Sequence, residues 1–555
     1  MKTLLLSFLL MASSALNAEV ILPKIINSHM ILQRGVEAPI WGWADQGEEV
    51  KVSFAGQTKK AMPDKKGKWM IKLNPLKASS EAREMIIEGN NKITLSDVLV
   101  GEVWLASGQS NMEWDFMRVD KAEREYAMKH ADNKLLRAFH VNEHVTSGAP
   151  LDDTAGLWKT SNDMVGEKGI KLGLQKGISA VGFCFALKLQ QELGVPVAFI
   201  DSNWGGRRIE SFIPDEGYEA LDLKYRKGGE LKAADVKDKI EKKLSSLLVI
   251  LEDVKQGKEI DGKVLSSMGI RQKKGQKVNA QVIEKKIEDL QNNLSPALEA
   301  AKQGLVIPVN LHRFLGVADN DIYNAMISPL TPFAIKGAIW YQGESNRTSK
   351  DYFQKLQALS IGWSKVFNVK DIPLHLVQIA PFQYDRKNPK NTTLCDNIWT
   401  AQYEGAQEIA GMTVVPIHDT NIPINNIHPP HKLPLGNRLA LRALKEQYGK
   451  NIVASGPNFA GVKLKGSSLV VSFEGIDQGL STKDGKAPSH FEVSADGKTF
   501  VAAEAKIDGS SVIVSSDELL TPKYVRMGWY ETALPNLQDK NGWPVFAFSA
   551  KEITK

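Results

Sequence analysis

Cysteine is nearly missing: 555 residues hold two, Cys184 and Cys395. Two thiols allow one crosslink at most, which excludes a disulfide-stapled scaffold. Cys184 lies in AVGFCFALKLQQEL, an apolar run with helical spacing, where a buried free thiol is the expected state. Long apolar runs are missing too. After the first residues no stretch approaches the ~20 uninterrupted apolar positions that a membrane-spanning helix needs. A charge excess of one sign is equally absent. The formal net charge of +6 is small for this length, and no arginine-rich block interleaved with aromatics occurs, so nucleic acid is not an expected partner. There is no internal repeat and no low-complexity tract.

What is present begins with MKTLLLSFLLMASSALNA: a lysine at position 2, an apolar run from Leu4 to Leu10, then small residues ending at Ala18. That is the layout of a cleavable secretory signal. Cleavage is expected near Ala18, with a mature start near Glu19 and a periplasmic or secreted product that inserts in no membrane. The length calls for roughly three or four domains. With 43% hydrophobic and 24% charged residues, the composition is that of a globular protein.

Residues 19–97 alternate apolar and polar positions in short runs (APIWGWA, EEVKVSF, KWMIKL) and predict a small β domain. From residue 98 to about 450 the pattern changes. VGEVWLAS, VPVAFIDSNW, IKGAIWYQ and PLHLVQIA are nearly continuous apolar runs with helical patterns between them, which predicts an α/β domain with a parallel sheet covered on both faces. A Lys- and Glu-rich stretch from about 217 to 308 interrupts it with two amphipathic patterns, read as an inserted helical hairpin. Within it, GKEIDGKV has the glycine spacing of a phosphate loop but lacks the following Ser or Thr and a preceding strand, so it reads as a turn. Residues 451–555 return to short strands, a second β domain.

Four segments of the α/β domain place polar residues after a strand or before a helix, where ligand chemistry collects at a sheet's carboxyl edge. They are VWLASGQSN with Ser110, VAFIDSNWGG with Gly205 and Gly206, IKGAIWYQGESN with Asn346, and INNIHPPHK with His428. These are the residue types that acyl transfer requires. A serine needs a base to take its proton, and histidine suits that task. The tetrahedral oxyanion needs donors already aimed at it: the Ser110 N–H, a glycine N–H free of a Cβ, and the Asn346 amide.

The order G-Q-S-N, a glycine after a second strand, G-x-x-N and a C-terminal histidine resembles the SGNH (GDSL-like) hydrolases. More closely, GQSNMEW, WGG followed by IESF, YNAMISPLTPFAIKGAIWYQGESN and IHPPHK leading into GNRLALRAL resemble the sialate O-acetylesterase family, from about Leu22 to near the C-terminus. The resemblance implies a three-layer parallel sheet flanked by helices, with β-sandwich-like domains at both ends. It also implies removal of O-acetyl groups from sialic acids and other sugars, with no metal or other cofactor. One departure stands out. The family places an aspartate two or three residues before the histidine, and this chain has Asn425 and Asn426 there. A Ser-His dyad with Asn426 or a backbone carbonyl positioning His428 is the favoured account. A carboxylate from elsewhere such as Asp419, or a weakened enzyme, stay open.

Other residues carry two readings each. Arg207 and Arg208 would clamp a substrate carboxylate, or pair with Glu210 or solvent. Gln109 and Glu344 would touch substrate, or link the serine loop to the third loop by hydrogen bonds. Trp204, Tyr341 and Tyr384 would form sugar-stacking walls, or pack in the interior. His428 and His431, with His418 nearby, lack the carboxylate or cysteine that would complete a zinc site. The expected partner is therefore an acetylated carbohydrate, either a sialoside or a polysaccharide such as acetylated xylan. A carbohydrate-binding protein with lost catalysis is the rival from another class.

Overall fold

The computed structural model describes residues 19–172, 177–225, 233–261, 264–265, 270, 278–302, 319–420 and 422–553. The expected signal segment lies outside them. A seven-strand path forms the centre: β1 (Lys92–Gly108), β2 (Leu136–Val141), β3 (Gly156–Thr160), β4 (Val197–Asn203), β5 (Gly337–Tyr341), β6 (Leu374–Val377) and β7 (Met412–Val415). Their order is β7-β6-β5-β1-β4-β2-β3. Neighbours run parallel except β3, which pairs antiparallel with β2 at the edge. The continuous apolar runs of β1, β4 and β5 are buried throughout the sheet's middle, as two covered faces require.

Helices cover both faces. On one, α2 (Ala180–Leu193) and α6 (Leu433–Tyr448) pack together. Trp104 meets them edge-on at Phe185, 5.2 Å between ring centres, and donates its indole N–H to the Tyr448 hydroxyl at 3.2 Å. Trp340 points to the other face, since it lies three residues along β5 from Gly337, the register partner of Trp104. There it meets Trp363 of α5 (Tyr352–Val366) edge-on at 5.6 Å. Helix α2 starts where the Ser179 hydroxyl accepts the Gly182 N–H and stops at Gly194 in the left-handed region.

The expected boundary at 97/98 falls inside one strand. β1 pairs antiparallel with Ser79–Glu88 through its polar first half, then parallel with β4 and β5 through its apolar second half. Asp97, at φ +54°, sits where the first pairing shifts register, and pairing with the amino-terminal strands continues past it to Gly101. The amino-terminal strands accordingly share a single apolar core with the α/β unit: Ile40, Trp41 and Val50 belong to the same cluster as Trp104 and Phe199.

The inserted hairpin has its own core. α3 (Ala233–Lys255) and α4 (Ala280–Lys302) bury Ile240, Leu247 and Ile250 against Ile283, Ile287 and Leu290, at helical spacings of three, four and seven residues. The α/β unit runs past the expected start of the insertion at 217, because helix Asp215–Ala220 packs on α5. A Cβ at Gly217 would lie 2.1 Å from the Ala358 carbonyl oxygen. Beyond α6, antiparallel sheets enclose a third core around Val471, Val493, Val512 and Val525. No described helix is long and apolar enough to cross a membrane.

Candidate active site

The strand ends explain the placement of Ser110. In register, Gly108 faces Asn203 of β4 and Tyr341 of β5. Gly108 has φ +138°, and a Cβ there would lie 2.3 Å from the Tyr341 carbonyl oxygen, so only glycine lets β1 turn out of the sheet here. The chain then enters the one-turn helix α1 (Ser110–Glu113) with Ser110 first. Gln109 stays buried and ties this turn to the third loop. Its Oε1 accepts from Gln342 Nε2 at 3.1 Å and from the Ser345 N–H at 3.2 Å.

His428 arrives from the loop before α6, and its Nε2 lies 2.8 Å from Ser110 Oγ. Its ring stacks on Trp114, 4.3 Å between centres and 19° between planes. Burial, with help from the Lys432 and Arg118 charges, pulls the imidazole down to about 4. At neutral pH it is therefore uncharged and able to accept a proton. Among the described residues, no group hydrogen-bonds its other nitrogen. The loop itself is anchored from below. Asn111 donates from one amide nitrogen to the Ile427 carbonyl at 3.0 Å and to Glu344 Oε1 at 2.6 Å, while its oxygen accepts from buried Lys432 Nζ at 2.7 Å. Burial lowers Lys432 to about 7 and raises Glu344, each opposed in part by the other's charge.

The geometry gives several of the expected residues other contacts. Asn426 meets His428 through the backbone and not through the ring: its side-chain oxygen accepts the His428 backbone N–H at 3.0 Å, a local turn contact. Asp419 does not replace the missing acid, because both its oxygens are taken by Arg438 at 2.8 and 2.6 Å. Asn346 has both ends of its amide engaged. It is fully buried, giving its amide to Glu210 at 2.9 Å and accepting from the Ile209 N–H at 3.0 Å. The Gly205 N–H is also occupied, donating to Glu113 Oε2 at 2.7 Å. Gly206, at φ +71°, is exposed, and the Ser110 N–H at the start of α1 has no acceptor among the described residues.

The remaining candidates separate. Arg208 pairs with Glu210 at 2.7 Å, whereas Arg207 lies over the Trp204 ring at 3.9 Å. Glu344 is buried and bonded to Asn111, away from open space. Tyr341 is fully buried, so it offers no sugar-stacking wall. The Tyr384 hydroxyl is buried, though its ring is met by Arg347 at 5.1 Å. Trp204 is 8% exposed and covered by His144, stacked at 4.5 Å. His431 pairs with Asp120 at 2.9 Å in a half-buried loop position. Among the described residues no three His, Cys, Asp or Glu side chains gather as a metal site. Cys184 and Cys395 are both buried and free.

Sequence reasoning missed Glu113, Trp114, His144 and Lys432. Three of them stand within or just after motifs already read, in GQSNMEW and PPHK, but nothing in their spacing tells a contact from a neighbour. His144 lies in an irregular segment with no motif. It lines a cavity of about 1170 Å³ with His140, Asn142 and Lys159, and touches Glu113 at 3.5 Å. A larger cavity of about 1400 Å³ lies at the opposite, amino ends of the strands, lined by Glu102, Lys336 and Pro373, far from this chemistry.

Comparison with known proteins follows the same direction. Residues 304–445 match the family described as carbohydrate esterase, sialic acid-specific acetylesterase. The sialate O-acetylesterase of Rattus norvegicus is 26% identical over 464 residues, spanning 78% of this chain and 74% of that protein. The human counterpart is 26% identical over 463 residues, spanning 78% and 72%. A solved carbohydrate acetylesterase from Xanthomonas citri superposes with a TM-score of 0.71 at 26% identity, covering 96% of this chain and 100% of that one.

Proposed function

From the premise that this chain is a carboxylic ester hydrolase related to the sialate O-acetylesterase family, we propose that it is exported and removes O-acetyl groups from carbohydrate through Ser110 and His428. The observation that carries the reading is the 2.8 Å contact between Ser110 Oγ and an imidazole held neutral by burial. His428 takes the hydroxyl proton as Ser110 Oγ bonds to the acetyl carbon. The same proton passes to the departing sugar oxygen when the ester bond breaks. Water then attacks the acetyl-enzyme, gives its proton to His428, and acetate leaves as Ser110 regains one. The free Ser110 N–H is the ready oxyanion donor.

Acetylated sialic acid is the preferred substrate class, on the strength of the relatives' names and of Arg207, a cation on the rim beside Gly205 and Gly206. Acetylated polysaccharide such as xylan is the alternative within the same chemistry, favoured by the bacterial relative's broader carbohydrate activity in name. The test is acetate release from acetylated sialosides and acetylated xylooligosaccharides. Ser110→Ala and His428→Ala should each lower kcat by at least ~10³-fold. A folded wild-type protein that releases acetate from neither panel would favour the carbohydrate-binding reading instead.

A further inference from the structure

The carboxylate that meets Gly205 has no part in the mechanism above. Glu113 Oε2 accepts the Gly205 N–H at 2.7 Å, and its Oε1 lies 3.5 Å from His144 Nε2. The point where a Gly205 Cβ would sit is 2.7 Å from Glu113 Oε2 and 3.2 Å from Ser110 Cβ, so carboxyl, glycine and nucleophile meet at one place. The Glu113 side chain is 10% exposed, too little for water to screen its charge. The oxyanion of the tetrahedral adduct on Ser110 would therefore compete with this group for the Gly205 N–H. Two negative charges that meet at one donor in a dry site oppose each other strongly.

We propose that Glu113 is a positioning residue that governs the oxyanion site: as a carboxylate it holds the Gly205 N–H and sets a negative charge beside the nascent alkoxide, and only its protonated form is productive. The inference rests on the Ser110–His428 reading and deepens it. The surroundings favour the protonated form. Burial pushes the Glu113 carboxyl up to about 7, the Gly205 N–H and Arg118 oppose it, and the charges of Asp201 and Asp115 add to it. Asp115 is paired with Arg118, and Asp201 with His140 at 2.9 Å. His144 brings no compensating charge, because burial and Arg207 hold it down to about 4. Arg207 lies over Trp204, and Arg118 is the cation that opposes the rise.

The experiment is kcat/KM for acetate release from a small acetate ester between about pH 5 and about pH 9, with Ser110→Ala as the blank. Wild type should fall by about tenfold per pH unit above a midpoint near 7, the value to which Glu113 is raised. Glu113→Gln keeps the shape and removes the charge, so its profile should stay level over that upper range, whatever its height. Glu113→Ala serves the same comparison if the glutamine variant melts early. An unchanged alkaline fall in both variants overturns the proposal while leaving the Ser110–His428 reading intact. So does a folded Glu113→Gln protein inactive at every pH. A wild type without Ser110-dependent activity takes both down.

Discussion

His428 reaches Ser110 without the carboxylate that usually backs such a histidine, and two neighbouring residues that stood as substitutes turn out to do other work. Asn426 caps the backbone of the turn, so Asn426→Ala removes one local hydrogen bond worth about 0.5–1.5 kcal/mol and should lower kcat by less than about tenfold. Asp419 forms a two-pronged pair with Arg438, and both side chains are about nine-tenths buried. Burial alone would raise the Asp419 carboxyl, but the Arg438 hydrogen bonds and charge outweigh it and hold it below its usual value. Asp419→Asn strands Arg438 and should cost about 3–5 kcal/mol of stability, read as a lower denaturant midpoint, with kcat of the surviving folded protein little changed. The contacts that do meet the ring and its loop are Trp114, stacked on the imidazole, and the Asn111 amide that holds the Ile427 carbonyl. Ser110 and His428 were legible because their residue types are what acyl transfer demands. Trp114 and Glu113 were not, since only contact gives an aromatic or a carboxylate its role.

Among elements, the strands that end at the site were readable from their continuous apolar runs, and the turn after β1 from its glycine. The shared strand was not. Residues 92–97 alternate and residues 98–108 do not, so the sequence marks a change of environment, while the backbone continues through it. Asp97 at φ +54° marks the register shift between the two stretches. The helical hairpin shows the converse. Its period of three and four residues marked both helices, and the structure adds that their apolar stripes face each other in a core separate from the main one. Separate cores couple weakly. Leu247→Ala should therefore destabilise the hairpin by about 2–5 kcal/mol, seen as a distinct early step in proteolysis or melting, while kcat/KM on an acetate ester stays within about twofold.

For the whole molecule, buried histidines contribute to the response to acid. His375 and His418 are fully buried, and burial lowers them to about 3 and about 4. Each is neutral in the folded chain at pH values where the unfolded chain would bind a proton. A group depressed in this way contributes its stability in full above the unfolded value near 6.5 and loses it as pH falls toward the folded value. Stability should therefore decline from about pH 6.5 to about pH 4, each histidine contributing up to about 1.4 kcal/mol per pH unit. The measurement is the urea midpoint at stepped pH. His375→Gln should flatten the slope relative to wild type, and an unaltered slope would remove this account. Catalysis has a different acid limit, set by His428 at about 4, so a folded enzyme with a neutral base should work well below neutral pH for as long as it stays folded.

Local chemistry and periodicity pointed to a β–α/β–β order, an inserted hairpin and a serine–histidine pair, and the motifs GQSNMEW and IKGAIWYQGESN carried the resemblance to carbohydrate esterases. Those features reside in residue types and short spacings, which a linear chain displays directly. The tertiary structure alone decided which polar groups were already spoken for. Asn346, Gly205 and Asp419 each have the right chemistry for catalysis, yet Glu210, Glu113 and Arg438 hold them in other bonds. A hydrogen bond formed between residues about 90 or 140 positions apart satisfies a donor without leaving any mark on the sequence around it.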